Sequence, residues 1–269
     1  MKLNEKQEKH REAEERETIM IDRRRIQIPG METQRPRRLY VSLPRDYEAS
    51  DKRYPVLYMF DGHNVFYDRD ATYGKSWGMR EYLKRSKREI IVVGIECNPE
   101  GNKRLSEYSP WDFSAWDLGL IEGRGRQTME WITKTLKPGI DTEYRTLPDR
   151  EHTLIAGSSM GGLMAVYAAV ACNEVFSRSA GLSPCLFLNP DKMKDLIRSR
   201  KLLQPTRIYM DYGSGETEEK PEDWDQMFRT AIDLSDAGAH VCAQVVPDAL
   251  HSEAYWEKRI PQFMDYLLG

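Results

Sequence analysis

The 269-residue chain predicts an α/β fold in which a mostly parallel central sheet carries helices on both faces. Three observations carry that expectation. Residues 54–60 form a continuous apolar run, the signature of a strand buried on both faces, and 89–95, apolar from Ile90 onward, read as a second central strand. Strand-like and helix-like stretches then alternate to the end of the chain, the pattern of right-handed crossovers. Finally, the short apolar run 153–156 turns through Gly157-Ser158-Ser159-Met160-Gly161-Gly162 into the alanine-rich stretch 163–171, a strand passing sharply into a helix.

Taken in order, residues 1–18 are almost wholly charged or polar. They read as a solvated helix or frayed tail, with an oligomer arm as the minor alternative. A single domain is expected over 19–269. Ile21, Ile26, Ile28 and then Leu39, Val41, Leu43, separated by Pro29-Gly30, predict two antiparallel edge strands. The central strand 54–60 ends in Asp61-Gly62-His63-Asn64, a polar loop where open α/β sheets build their sites. A helix containing Tyr82 and Leu83 leads to the second central strand. The stretch 98–126 shows no period but holds Tyr108, Trp111, Phe113 and Trp116, and a loop so long is expected to be functional. Residues 128–136 predict a helix that stops at Pro138. After the 157–162 turn come a strand near 176–184, a helix over 192–198, a strand over 206–211, a helix over 224–237, the last strand over 240–246 and a final helix over 253–268.

Composition excludes more than it identifies. Forty Lys and Arg against 43 Asp and Glu give a net charge of −3, and 40% hydrophobic content is ordinary, so neither nucleic acid nor an anionic membrane is an expected partner. No apolar run approaches the roughly 20 residues that span a bilayer. Cys97, Cys172, Cys185 and Cys242 show no metal-binding or redox spacing. With no secretion-type apolar start, reduced thiols and a cytoplasmic location are expected. A homo-oligomer is left open.

The chemistry starts at Ser159. A bare G-x-S-x-G occurs by chance in about one chain in ten of this length, but a strand-to-helix turn at the serine strains its backbone and exposes its oxygen. A serine hydroxyl needs a base. His251 fits, since it follows the last strand and precedes the last helix, whereas His10 lies in the charged tail, His240 starts a strand and His152 sits at the far end of the serine's strand. His63 is the rival. The orienting carboxylate is expected after the strand that ends near Asp211, where Gly213-Ser214-Gly215-Glu216 offers Glu216, with Asp211 the competitor and Asp248 and Glu253 flanking the histidine. Backbone N–H groups of Met160 and His63 are the expected oxyanion donors. Trp77, Arg104, Tyr108, Trp111 and Trp116 are expected to wall the pocket, and Arg104 to pair with Glu107 or to bind an anionic acyl group.

The runs 54–64 (YPVLYMFDGHN), 104–110 (RLSEYSP), 136–146 and GSSMGG, occurring in that order, resemble the esterase D and enterochelin esterase-like family of α/β-hydrolases. That group also holds feruloyl and other carbohydrate esterases and the antigen 85 mycolyltransferases, and the similarity spans roughly residue 38 to the end. The resemblance implies a serine acyl-transfer mechanism with no metal or organic cofactor. It places the nucleophile on Ser159, the base on His251 and the oxyanion loop on Asp61-Gly62-His63, where many relatives carry D-G-Q. It leaves the acid the least secure member. The expected activity is hydrolysis of a small acyl ester or siderophore-type lactone, with acyl transfer from the same site, or ligand binding without catalysis, as the alternatives.

Overall fold

A computed structural model describes residues 19–115, 118–216 and 222–269, with side chains omitted at 115, 222 and 223. The charged stretch 1–18, Trp116, Glu218 and Glu219 lie outside the described residues.

Ten strands form between β1 (Met20–Ile26) and β10 (His240–Val246) among these residues. Eight make one sheet: β1, β2 (Arg37–Leu43), β3 (Val56–Phe60), β4 (Ile91–Ile95), β7 (Thr153–Ser158), β8 (Arg178–Leu182), β9 (Arg207–Gly213) and β10. A small antiparallel ribbon of β5 (Phe113–Ala115) and β6 (Gly119–Ile121) stands apart. The order across the sheet is β1-β2-β4-β3-β7-β8-β9-β10. Both pairings of β2, with β1 and with β4, are antiparallel. All the others are parallel.

The helices are α1 (Met79–Ser86), α2 (Lys103–Glu107), α3 (Gly125–Trp131), α4 (Lys137–Glu143), α5 (Met160–Ala171), α6 (Pro190–Arg198), α7 (Glu222–Asp236) and α8 (Glu253–Leu268). Side chains alternate across β3 as the pleat requires. Val56, Tyr58 and Phe60 join the core beneath α3, α5 and α6, whereas Leu57 and Met59 join the core beneath α1 and α8. Two cores sandwich the sheet, and α5 is buried nearly all round, which its alanines and glycines permit.

Two local expectations need correction. The helix expected to stop at Pro138 continues. Ile132–Leu136 forms a π-turn, closed by Lys137 N–H donating to Ile132 O, and Pro138, which has no N–H to donate, follows it directly in α4. Lys137 Nζ fixes the junction by donating to Asp141 Oδ2 (2.6 Å) and Pro148 O (2.8 Å). The aperiodic stretch 98–126 holds α2 and the β5–β6 ribbon, elements too short to show a period.

The carboxyl ends of β3 and β4 are tied together tightly. Gly62 lies so close to Gly94 that a Cβ on it would overlap the Gly94 backbone. Glu96, just past β4, accepts from Arg38 N (2.6 Å), Arg38 Nη2 (2.9 Å) and Arg35 Nη2 (2.9 Å). Burial alone would raise the Glu96 carboxyl, but the two arginines and the Arg38 N–H bring it down from 4.5 to about 2. A carboxyl depressed in the folded state stabilises the protein above its unfolded value, and that stabilisation is lost as pH falls through the folded one.

Glu96→Gln is therefore expected to destabilise the protein at pH 7 by about 2 kcal/mol and to flatten the fall in stability between about pH 4.5 and pH 2. Urea unfolding across that range measures both, and an unchanged slope would deny Glu96 this role. Gly62→Ala is expected to cost about 2 kcal/mol or more through overpacking, read as a lower urea midpoint.

Candidate active site

β7 runs into α5 at Ser159, whose backbone is held at φ 56°, ψ −122°. A side chain at Gly157 would lie 2.6 Å from the Gly161 backbone, and one at Gly161 would lie 2.9 Å from Phe60 Cβ. Only glycine allows strand and helix to approach this closely. Three hydrogen bonds fix the turn: Ser159 N–H donates to Leu182 O (2.9 Å), and Ser159 O accepts from Leu163 N–H (3.0 Å) and Cys185 N–H (3.2 Å). Ser159 Oγ lies 3.5 Å from Cys185 Sγ. The next N–H, on Met160, belongs to the first turn of α5, where no intrahelical acceptor exists and the helix dipole favours an anion.

Ser159 and His251 open onto one cavity of about 660 Å³. His251 Nδ1 meets Glu216 Oε2 at 2.8 Å, and its ring packs edge-on against Trp256 with centroids 4.9 Å apart. Glu216 sits on a short 3₁₀ turn after β9, and its other oxygen accepts from Ser183 Oγ (2.8 Å), Gly213 N–H (2.8 Å) and Arg259 Nη2 (3.1 Å). Burial pushes this carboxyl up, but the bond to His251 and its charge, with the Ser183 and Gly213 donors, leave it below the usual glutamate value.

Asp211, the competing acid, lies within β9, fully buried, and accepts from Tyr209 Oη (2.7 Å) and Arg259 Nη1 (2.8 Å). Its partners are thus not His251. Of the flanking carboxylates, Glu253 accepts from Asn64 Nδ2 (2.9 Å), whereas Asp248 is exposed, with its backbone N–H donating to Ser214 Oγ (2.8 Å).

His63 lies on a 3₁₀ turn after β3, with Nε2 3.0 Å from Thr72 Oγ1 and Nδ1 buried without a partner among the described residues. Burial lowers its pKa, which keeps the ring neutral. Asp61 ahead of it takes both its Nε and Nη2 bonds from Arg104, at 2.7 Å each. Arg104 therefore pairs with Asp61, not with Glu107, which instead bonds buried Arg37 at 2.6 Å. Asp61, His63 and Cys97 bring possible metal-ligating atoms within 4.8 Å of one another. Arg104 already occupies both oxygens of that carboxylate, and burial keeps the Cys97 thiol protonated, so the set is arranged for a guanidinium rather than a metal cation.

Of the expected pocket walls, Arg104 lines the cavity and three others do not. Trp77 is buried against Trp256 and Phe263 in the α1–α8 core. Tyr108 is fully buried under β3, where its Oη accepts the Asp61 N–H at 3.0 Å. Trp111 lines a separate groove beside α5, edge-on to Tyr167. Trp116 lies outside the described residues. The walls that sequence reasoning missed are mainly polar: Arg35, Arg38, Glu96 and Asn98, with exposed Tyr73. The signal for Glu96 and Asn98 was their place at the carboxyl end of β4, the same logic that singled out the loop after β3.

No helix of the described residues is long and apolar enough to cross a membrane. A protein of Bacillus subtilis named only as uncharacterized protein YbbA is 24% identical over 243 residues, covering 87% of this chain and 93% of its own. Among solved structures, an IroE-like serine hydrolase of Shewanella oneidensis superposes with a TM-score of 0.70 at 19% identity, over 93% of this chain and 78% of that one. The enterobactin esterase FES of Shigella flexneri gives 0.68 at 15% identity, over 93% of this chain but only 59% of its own. The mostly parallel sheet with helices on both faces thus has the α/β-hydrolase fold of these structures. The model of the family described as "Putative esterase" matches residues 30–267, nearly the whole described fold, and the chain belongs to that family.

Proposed function

We propose that this esterase-family protein is a serine carboxylic-ester hydrolase working through an acyl-enzyme, with Ser159 as nucleophile, His251 as base and Glu216 as the acid that orients it. The observation that carries the reading is the 2.8 Å contact of Glu216 with His251 Nδ1 on the cavity into which the strained Ser159 projects. A carboxylate on Nδ1 fixes the tautomer that leaves Nε2 free to accept the serine proton. Ser159 Oγ then attacks the ester carbonyl, and the oxygen that becomes negative faces the N–H groups of Met160 and His63. Collapse of that intermediate expels the alcohol, which takes the proton from His251. Water, activated by the same histidine, releases the acid and restores the serine.

The substrate reading follows from the walls. Charged and amide side chains make up about half of the cavity lining, which favours a small ester with polar groups over a long alkyl chain. The name of the Shigella relative brings a siderophore-type lactone into the same class.

Chromogenic esters of graded acyl length test the proposal. Short or polar acyl groups are expected to turn over fastest, and Ser159→Ala to lower kcat by about 10⁴-fold or more without unfolding the protein. Retained activity would move the nucleophile elsewhere. Glu216→Gln is expected to lower kcat by about 10²-fold or more; wild-type activity in that variant would leave the histidine without this acid. Neither ester turnover nor labelling of Ser159 by a fluorophosphonate would point to a protein that only binds.

A further inference from the structure

The carboxylate that meets His251 has little backbone to hold it. Glu216 lies on a turn of three residues, and a glutamate carboxylate rotates about a broad terminal torsion. Its direction is therefore set by what binds the oxygen that does not face His251. Two of the three donors there, Ser183 Oγ and the Gly213 N–H, come from the ends of β8 and β9. The third, Arg259 Nη2, comes from α8, two turns after the histidine.

Arg259 is 2% exposed, and its other terminal nitrogen bonds Asp211, which is completely buried. One guanidinium thus bridges two carboxylates, at 2.8 Å and 3.1 Å. With Asp211 and Glu216 ionised the trio carries one net negative charge, the charge that an imidazolium at His251 would balance. Without the arginine, two buried carboxylates would face each other, and one would have to take up a proton or turn away. Trp256, one turn before Arg259, presses edge-on against His251 and donates its Nε1–H to Ser183 Oγ at 3.0 Å. Residues 256 and 259 of one helix face therefore touch the base on one side and brace the acid on the other.

We propose that Arg259 is a positioning residue of this site: by bridging Asp211 and Glu216 it fixes the rotation of the Glu216 carboxylate and so aims Oε2 at His251. The inference rests on the Ser159, His251 and Glu216 reading above. It assigns Arg259 a role through Glu216, beyond that of a buried structural ion pair.

A mutant cycle in the full chain tests it, with kcat and KM read separately on a short chromogenic ester and the rate of fluorophosphonate labelling as a readout independent of substrate fit. Arg259→Met is expected to lower kcat and the labelling rate about tenfold to a hundredfold, with KM changed by less than about twofold. In a Glu216→Gln background the same substitution is expected to cost less than about twofold, because nothing is left for the arginine to orient. Equal losses in both backgrounds would overturn the proposal and make Arg259 a packing residue. A Glu216→Gln variant as active as wild type is a different result, which removes the acid itself and with it the triad reading.

Because Arg259→Met leaves Asp211 buried and unpaired, the double variant Asp211→Asn/Arg259→Met is made beside it. With the buried pair gone together, it is expected to unfold within a few degrees of wild type yet keep the lowered kcat. Full recovery of kcat would mean that Arg259 only neutralises Asp211, and would equally overturn the proposal.

Discussion

The site depends on one constraint, the close approach of β7 and α5 around Ser159. A non-glycine residue at φ 56° costs on the order of 1–3 kcal/mol and persists only where its surroundings over-determine it. Here they do. The serine's N–H and C=O are both bonded across the turn, Gly157 touches Gly161, and Gly162 sits 3.0 Å, measured from an added Cβ, from Leu182 O. Because α5 is buried almost all round, the helix cannot shift to relax the turn. Packing in the core therefore fixes where Ser159 Oγ and the Met160 N–H point.

Around that rigid turn, the cavity is charged but internally balanced. Arg104 answers Asp61, Arg35 and Arg38 answer Glu96, and Arg38 also reaches Asp70. Such pairs hold the loops after β3 and β4 in place without a large apolar wall. The same pairing fixes the His63 backbone, since the Asp61 carboxylate is clamped by Arg104 and the Asp61 N–H is bonded by Tyr108 from below. The polar ester proposed above rests on these charged walls, which can exchange hydrogen bonds with water for hydrogen bonds with a bound molecule.

The fold was legible because its signals are local. Period-two alternation and continuous apolar runs marked the strands, and the boundaries of β10 and α8 fall where the pattern placed them. Glu216 rather than Asp211 meets His251 for the reason visible in the sequence: Asp211 still belongs to β9, and Glu216 follows it in the turn. The pocket walls were not legible. Trp77, Tyr108 and Trp111 are aromatics on the site side of the chain, but a sequence does not say whether an aromatic in an irregular segment faces a cavity or a core. The ion pairs failed similarly. Arg104 and Glu107 are three residues apart, a spacing that suggests a pair on a helix, yet their partners are Asp61 and Arg37, brought in by tertiary structure.

The resemblance noted from the sequence implies Gln at residue 63 in many relatives, where this chain carries His63. In the proposed mechanism residue 63 contributes only a backbone N–H, so any side chain compatible with the turn would serve there. An imidazole adds a titratable group about which the site must be indifferent, and the structure meets that requirement by burial. Desolvation outweighs the attraction of Asp61 and Glu96 and keeps the ring neutral. A cation at His63 would sit near the Arg104 and Arg38 guanidiniums, which disfavour it. In the proposed reading a neutral His63 leaves His251 as the histidine whose charge Glu216 would balance, and the two histidines differ through their surroundings rather than through their chemistry.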